Sequence, residues 1–223
     1  MPEGAEVWIL SKAINLFISL NKNKNIEIYF ANYYGKHLLL YYNDNTIADW
    51  TFGLTGKVYI DENYKLNKIY NSQLAGGFNF LENSEYYKNQ SSICWMSNNM
   101  NNETLQKIIN KWKTSRKKLG DLLLDQTYIS GIGVAWGSEI LYNANLRPDL
   151  KACEQNLDNL CDEILNIKYE IKNIYNEYLK NNENDIVNFI NNWYNNLYTI
   201  RQMNVYKKGK QINMTGRKWW VKE

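Results

Sequence analysis

The chain has 223 residues, which is enough for one large domain or two small ones. Hydrophobic residues make up 44% of it and charged residues 22%, a balance that excludes an intrinsically disordered protein. The net charge of +3 permits a nucleic-acid partner without requiring one.

Cysteines, the lone histidine and the apolar runs exclude several further classes of protein. The 3 cysteines are odd in number and form no CxxC pair, so we expect neither a disulfide framework nor a zinc cluster. No apolar run approaches the roughly 20 residues of a membrane span. His37 is the only histidine and is more typical of a surface residue than of a phosphate contact. We therefore expect an intracellular protein without a membrane partner, a metal or a cofactor.

The first hundred residues predict a helix followed by strands. Apolar residues recur at helical spacing over residues 5–20. Four short apolar runs then predict strands, at 26–31, 36–42, 46–50 and 56–60. This order predicts a leading helix and a β-sandwich.

The rest of the chain is predominantly helical. Residues 61–102 have weak periodicity and predict no clear element. Helical patterns follow at 103–113, 119–126, 135–144, 154–180 and 184–197. From residue 203 onward the sequence alternates like a β-hairpin. We thus expect an α+β protein with an N-terminal domain at 1–100, a helical domain at 101–200 and a hairpin at 201–223.

The opening segment MPEGAEV combines a proline behind the initiator methionine with two acidic residues. Removal of Met1 would expose the secondary amine of Pro2, and a generic terminal amine titrates at about pH 8. Such an amine can attack the C1′ atom of a sugar and form an iminium. Glu3 and Glu6 could donate and orient protons there. Acidic residues at a helix start are also stabilising in themselves, and alone the segment favours that structural interpretation.

A second segment places Gly131-Ile132-Gly133 before a predicted helix. Glycines let a backbone approach a ligand closely, and helix N-terminal amides suit a phosphate, although a lone GxG is more often a turn. A basic run at residues 116–118 precedes these helices and is as typical of a solvated face as of a DNA contact.

Together these segments resemble the formamidopyrimidine-DNA glycosylase / endonuclease VIII (Fpg/Nei) family. MPEG-E resembles the start of its Nei branch. LLLDQ, ISGIG, SEILY and Pro148 resemble its helix–two-turn–helix (H2TH) signature in matching spacing. YGKHLLLYY resembles the strand with its phosphate-binding lysine, FGLTGK the loop with its intercalating side chain, and VYKKGKQI…GRKWWV its C-terminal finger. Residues 61–102 and 155–200 match by position alone.

The resemblance implies a bifunctional DNA glycosylase and abasic-site lyase of base excision repair. It implies a monomer without a cofactor, acting on damaged single- or double-stranded DNA in a nucleus, a cytoplasm or a viral setting. Pro2 would be the nucleophile, Glu3 the proton donor and Glu6 a supporting carboxylate, while Lys36 would hold phosphate. The implied DNA-binding residues are Leu54, Lys118, Gly131, Gly133, Val134 and Arg217.

Three departures from the family pattern qualify this prediction. The finger contains no Cys or His, so it resembles the zincless finger of eukaryotic and viral Nei-like proteins. Val134 stands where the family has asparagine, and residues 80–90 lack its arginine–phenylalanine wedge. These last two leave open a weak or inactive DNA-binding paralogue, which the intact MPEG-E start disfavours. Gly4 and the zincless finger favour oxidised pyrimidines over 8-oxoguanine, and the missing wedge favours single-stranded DNA.

Overall fold

The computed structural model describes residues 2–53, 56–69, 78–81, 92–200 and 202–222. The chain divides into two compact units. The first comprises Met1–Gln90 and Asn173–Arg201, and the second comprises Ser91–Lys172 and Gln202–Glu223. In neither unit is a described helix long and apolar enough to cross a bilayer.

The first unit begins with helix α1 (Gly4–Leu20) and continues into two antiparallel sheets. The larger sheet has the order β1-β2-β3-β6, with strands at Ile28–Tyr34, His37–Tyr42, Ile47–Thr51 and Phe78–Leu81. The smaller sheet pairs β4 (Lys57–Ile60) with β5 (Leu66–Ile69).

Helix α1 is buried along most of its length because it packs on β1, on β2 and on α6 (Ile186–Ile200). The side chain of Asn15 also fixes this helix to the edge strand β1. Its carbonyl accepts from the backbone N–H of Ala31 at 2.8 Å, and its amide donates to the carbonyl of Ala31 at 2.7 Å. A single side chain therefore occupies backbone groups that an edge strand would otherwise expose.

The second unit contains helices α2 (Asn102–Trp112), α3 (Leu119–Leu123) and α4 (Val134–Asn143). Helix α5 (Leu160–Asn181) begins in this unit and ends in the first. Two short parallel strands, β7 (Ile93–Cys94) and β8 (Ile129–Ser130), pair beside the helices, and single 3-10 turns lie at Ala152–Glu154 and Glu183–Asp185. The hairpin of β9 (Lys210–Met214) and β10 (Arg217–Val221) completes the unit.

The α+β class, the leading helix and the terminal hairpin are confirmed. Several bounds differ from the predicted ones. Helix α3 ends at Leu123, three residues early, because Asp125 accepts from the backbone N–H of Thr127 and begins a turn. Residues 173–201 pack in the first unit, where the buried Phe189 and Trp193 face its core, whereas a helical domain was predicted over 101–200. The stretch 61–102, in which no element was predicted, contains β5, β6 and β7.

Candidate functional site

The start of α1 places two buried carboxylates directly behind Pro2. Glu3 is the N-cap residue in an extended conformation, with φ of −107° and ψ of −178°. Its backbone N–H donates to Oε2 of Glu6 at 2.9 Å, which is one half of a capping box. Pro2 is buried, and Glu3 and Glu6 are only 5% and 1% exposed.

The burial of Glu3 and Glu6 bears on the role of these two acids. A carboxylate removed from water is costly unless hydrogen bonds compensate it, so helix caps are usually solvated. Here both acids are retained inside the protein, one turn apart and next to a proline. Buried carboxylates beside a possible nucleophile are the arrangement that proton transfer requires.

Lys36 lies in the two-residue turn between β1 and β2. The preceding residue, Gly35, has a φ of +56°, which glycine adopts without strain, and Lys36 is half-buried. The next residue, His37, contacts the buried Asp49 across the sheet, with its Nδ1 atom 2.8 Å from Oδ1. The lone histidine is thus held by a carboxylate. Leu54 and most of the 80–90 segment lie outside the described residues.

The turn between α3 and α4 is built around Gln126. Its amide nitrogen donates to the carbonyls of Leu124 and Ile132 at 2.9 and 3.1 Å, and its carbonyl accepts from the N–H of Gly131 at 2.8 Å. Gly131 has a φ of +101°, a backbone conformation that disfavours side chains. The sequence signature contained Gln126, but its bracing of the turn was not predicted.

The turn leads directly into the N-terminus of α4. Gly133 is the N-cap residue and is buried, and Val134 is the first helical residue. The Val134 side chain has no polar atom, so it can offer a phosphate its backbone only. The helix is mostly apolar and is buried along most of its length, and its one charged residue, Glu139, is buried as well.

Glu139 anchors the finger. Its side chain is fully buried, and its carboxylate accepts from three consecutive backbone N–H groups, those of Asn204, Val205 and Tyr206, each at 2.8 Å. The resulting bonds are charge-assisted and tie α4 to the segment that leads into β9. This residue was missed by sequence reasoning, although an acid on an otherwise apolar helix was a usable signal.

Trp219 supplies the apolar part of the same anchor. It is fully buried against α3 and α4, at two glycines that leave room for the indole. A Cβ atom added at Gly120 would lie 2.8 Å from Cζ2 of Trp219, and one at Gly137 would lie 3.2 Å from its ring. At the tip of the hairpin, Thr215 donates to Asp121 at 2.6 Å. Within the described ranges no group of three metal-ligating residues occurs.

The predicted site residues thus separate into two sets. Pro2, Glu3, Glu6 and Lys36 belong to the first unit. The second unit contains the other described members of the predicted set, which are Lys118, Gly131, Gly133, Val134 and Arg217. Lys118 is the exposed N-cap residue of α3, and Arg217 is exposed at the start of β10.

Comparison with known proteins agrees with this arrangement. Residues 96–189 match the model of the formamidopyrimidine-DNA glycosylase H2TH domain. A formamidopyrimidine-DNA glycosylase of Mycoplasma pneumoniae is 44% identical over 52 residues, which are 23% of this chain and 19% of that protein. The match therefore spans about a fifth of that curated relative.

Solved structures resemble the chain over nearly its full length. The MutM (Fpg) protein of Thermus thermophilus superposes with a TM-score of 0.66 at 14% identity, covering 99% of this chain and 97% of that one. Lactococcus lactis Fpg in complex with abasic-site DNA gives 0.66 at 16% identity, with coverages of 98% and 97%. Its Fapy-dG complex gives 0.68 at 15% identity, with coverages of 99% and 97%. Residues 96–189 thus match the H2TH domain of formamidopyrimidine-DNA glycosylases, and the chain shares the fold of the Fpg structures.

The H2TH match covers most of the second unit. The matched region extends from Met96, just after β7, into α6 and includes α3, the Gln126-braced turn and α4. The finger lies outside the matched region and is attached to it by Glu139 and Trp219.

Proposed function

We propose that this protein is a bifunctional DNA glycosylase and abasic-site lyase of base excision repair, with the amine of Pro2 as nucleophile. The observation that carries the proposal is the start of α1, where Glu3 and Glu6 are buried behind Pro2. The H2TH match and the shared fold supply the context, because Lactococcus lactis Fpg, which has a similar fold, was crystallised with DNA that contains an abasic site.

The proposed reaction begins once the damaged nucleotide has been extruded from the helix. The amine of Pro2 attacks C1′ of the deoxyribose, and the base departs with the electrons of the glycosidic bond and takes up a proton. The nitrogen of Pro2 loses its proton and its lone pair forms a double bond to C1′ as the C1′–O4′ bond breaks, while Glu3 protonates O4′, which becomes a hydroxyl. The product is an iminium between Pro2 and C1′. Loss of a proton from the sugar then permits elimination of the 3′ phosphate. Glu6 acts on Glu3 through its backbone N–H and is a positioning residue.

Exposed cations and backbone amides of the second unit would hold the DNA strand. The glycines of the Gln126-braced turn let the backbone at the start of α4 approach a phosphate. Lys118 and Arg217 are exposed and suit further phosphate contacts, and Lys36 suits one in the first unit. The proposed partner is damaged DNA, bound by a monomer without a cofactor.

The proposed substrate is an oxidised pyrimidine, in the manner of the Nei-like branch. Gly4 and a finger without metal ligands support this choice over 8-oxoguanine. Because Val134 stands where the family has asparagine, one side-chain contact to the DNA backbone is missing. We therefore propose that single-stranded or bubble DNA is processed at least as fast as duplex, because extrusion from a duplex costs a few kcal/mol.

The roles of the two acids are tested by comparing two substrates. Glu3→Gln should slow excision of an oxidised pyrimidine far more than it slows cleavage of a preformed abasic site, which has no glycosidic bond to break. Single-turnover rates on both substrates measure the difference. Glu62→Gln, at an exposed position in the same unit, is the matched control. Equal losses on the two substrates would contradict the assigned role of Glu3.

A non-catalytic DNA-binding paralogue is the competing function, and Val134 is the observation that favours it. Such a protein would bind DNA and release neither base nor strand. Cleavage of abasic-site DNA by the wild-type protein, absent when Pro2 is blocked, would exclude it.

A further inference from the structure

The finger hairpin has two chemically different faces. Its register pairs Arg217 with Met214, Lys218 with Asn213, Trp219 with Ile212 and Trp220 with Gln211. Because side chains alternate across a strand, Lys218 and Trp220 point away from the buried Trp219. One face is therefore the apolar anchor described above, and the other, which we term the outer face, is directed away from it.

The outer face carries an aromatic pair. The rings of Tyr206 and Trp220 meet edge to face with centroids 4.6 Å apart, and both side chains are half-exposed. Nζ of Lys207 lies 5.5 Å from the Tyr206 ring centroid, and Lys218 is exposed on β10, two residues before Trp220. The exposed amide Asn213 lies opposite Lys218.

The charge of this segment is of one sign. Residues 202–222 contain six lysines and arginines and no acidic residue. Two carboxylates that reach the segment from the helices are already engaged, Glu139 by backbone N–H groups and Asp121 by the hydroxyl of Thr215. An anionic ligand would therefore meet attraction along the outer face.

The aromatic pair is held in place before any ligand arrives. The backbone N–H of Tyr206 donates to Glu139, and that of Trp220 donates to the hydroxyl of Ser138 at 3.3 Å. Both bonds lead to helix α4. A fixed aromatic surface loses less entropy on binding than a mobile one.

We propose that the outer face is a binding site for an undamaged stretch of single-stranded DNA. Bases would stack on Tyr206 and Trp220, and neighbouring phosphates would pair with Lys207 and Lys218. Single strands fit because their base faces are uncovered, whereas the faces of duplex bases are covered by stacking. The proposal deepens the proposed function by naming a surface that would bind single-stranded DNA, and it rests on DNA being the substrate.

The test uses undamaged DNA, so that binding is read without any chemistry. We would measure fluorescence anisotropy of a labelled thymidine oligonucleotide, alone and annealed to its complement. Trp220→Leu should weaken binding of the single strand about tenfold and leave duplex binding within twofold, since stacking on one aromatic is worth about 1–3 kcal/mol per base. Trp220→Phe should retain most of the affinity because it keeps a stacking surface.

Charge is tested separately from stacking. Lys218→Ala should weaken binding of the single strand and flatten its salt dependence. Lys111→Ala, an exposed lysine on α2 in the same unit, is the matched control and should change neither. Thermal unfolding of each variant checks that the hairpin remains folded.

Two results would overturn the proposal. The first is a Trp220→Leu protein with a wild-type melting temperature that binds the single strand as tightly as before. The second is tighter binding of single-stranded RNA than of DNA of the same sequence. Failure of catalysis at Pro2 would leave these binding measurements unchanged, so the two proposals can fail independently.

Discussion

Two buried glutamates hold backbone segments in this protein, and they act over very different distances along the chain. Glu6 accepts the N–H of Glu3, three residues away, and closes the start of α1. Glu139 accepts three N–H groups that lie 65 to 67 residues away and closes the finger onto α4. One is a local cap and the other a tertiary anchor.

The difference shows how each unit holds a segment of its backbone in place. In the first unit the start of α1 is closed by a hydrogen bond between residues that are three positions apart. In the second unit a hairpin without Cys or His is fixed by a carboxylate and by Trp219, which fills the space left by Gly120 and Gly137. Packing and charge-assisted bonds thus do what metal ligands do in a zinc finger.

The largest expected effect comes from substituting the two glutamates themselves. Glu139→Ala leaves three backbone N–H groups, one of them buried, without their acceptor and should lower the free energy of unfolding by about 3 kcal/mol or more. Glu6→Ala removes one cap bond and should cost about 1 kcal/mol. Urea denaturation measures both.

Hydrogen exchange shows where the loss occurs. In Glu139→Ala the amides of residues 204–206 should lose protection, while those of α1 should keep it. Glu177→Ala, an exposed acid on α5, is the control for loss of one negative charge and should stay within about 0.5 kcal/mol of wild type. Equal stabilities for the Glu139 and Glu177 variants would refute the anchor.

A buried lysine also holds backbone groups, as the two glutamates do. Lys168 is 1% exposed and donates to the carbonyls of Ser97 and Met100 at 2.7 and 2.6 Å. Burial, assisted by Lys172, lowers the pKa of Lys168 from 10.5 to about 8. Below pH 8 the folded protein therefore carries the full cost of the buried charge, and this cost disappears as the pH rises from about 8 to 10.5.

The expected result is a pH-dependent difference between two proteins. Relative to Lys168→Met, wild type should gain of order 2 kcal/mol of unfolding free energy between pH 8 and pH 10.5. Chemical denaturation at several pH values measures the gain. Lys180→Met, at an exposed position on α5, should give no such gain. A flat difference for Lys168→Met would contradict the lowered pKa.

Removal of divalent metal is the change from which we expect no effect. Because Glu139 and Trp219 hold the finger, removal of divalent metal by a chelator should leave both DNA cleavage and the melting temperature unchanged. Elemental analysis of the purified protein provides the companion measurement. One zinc per chain would show that the finger is held differently.

Much of the fold follows from local patterns in the sequence. Periodicity within about ten residues predicts helix α1, strands β1 to β4 and the terminal hairpin. The Thr215-Gly216 turn, with φ of +49° and +72°, is the two-residue type that a hairpin favours. The N-terminal cap was likewise readable, because Glu3 and Glu6 are one turn apart.

Other features depend on contacts between distant residues and could not be predicted that way. The packing of α6 with the first unit depends on contacts of Trp193 with Phe52, 141 residues earlier, whose ring centroids are 5.3 Å apart. The bonds from Glu139 to the finger have no local signature, since the three N–H donors are ordinary backbone groups. The bracing by Gln126 spans only six residues, but an amide side chain in a turn has too many alternative partners to assign from spacing.

The central claim is that the amine of Pro2 forms a covalent iminium with DNA. Reduction with borohydride in the presence of abasic-site DNA should trap one protein–DNA complex, and peptide mass spectrometry should locate the sugar on Pro2 with Met1 removed. A form that retains Met1 should reduce trapping at least about a hundredfold, because the nitrogen of Pro2 is then an amide and no longer a nucleophile. Pro2→Gly, which replaces the secondary amine by a primary one, should reduce trapping to a smaller extent. Undiminished trapping with Pro2 blocked, or an adduct on a lysine, would contradict the account.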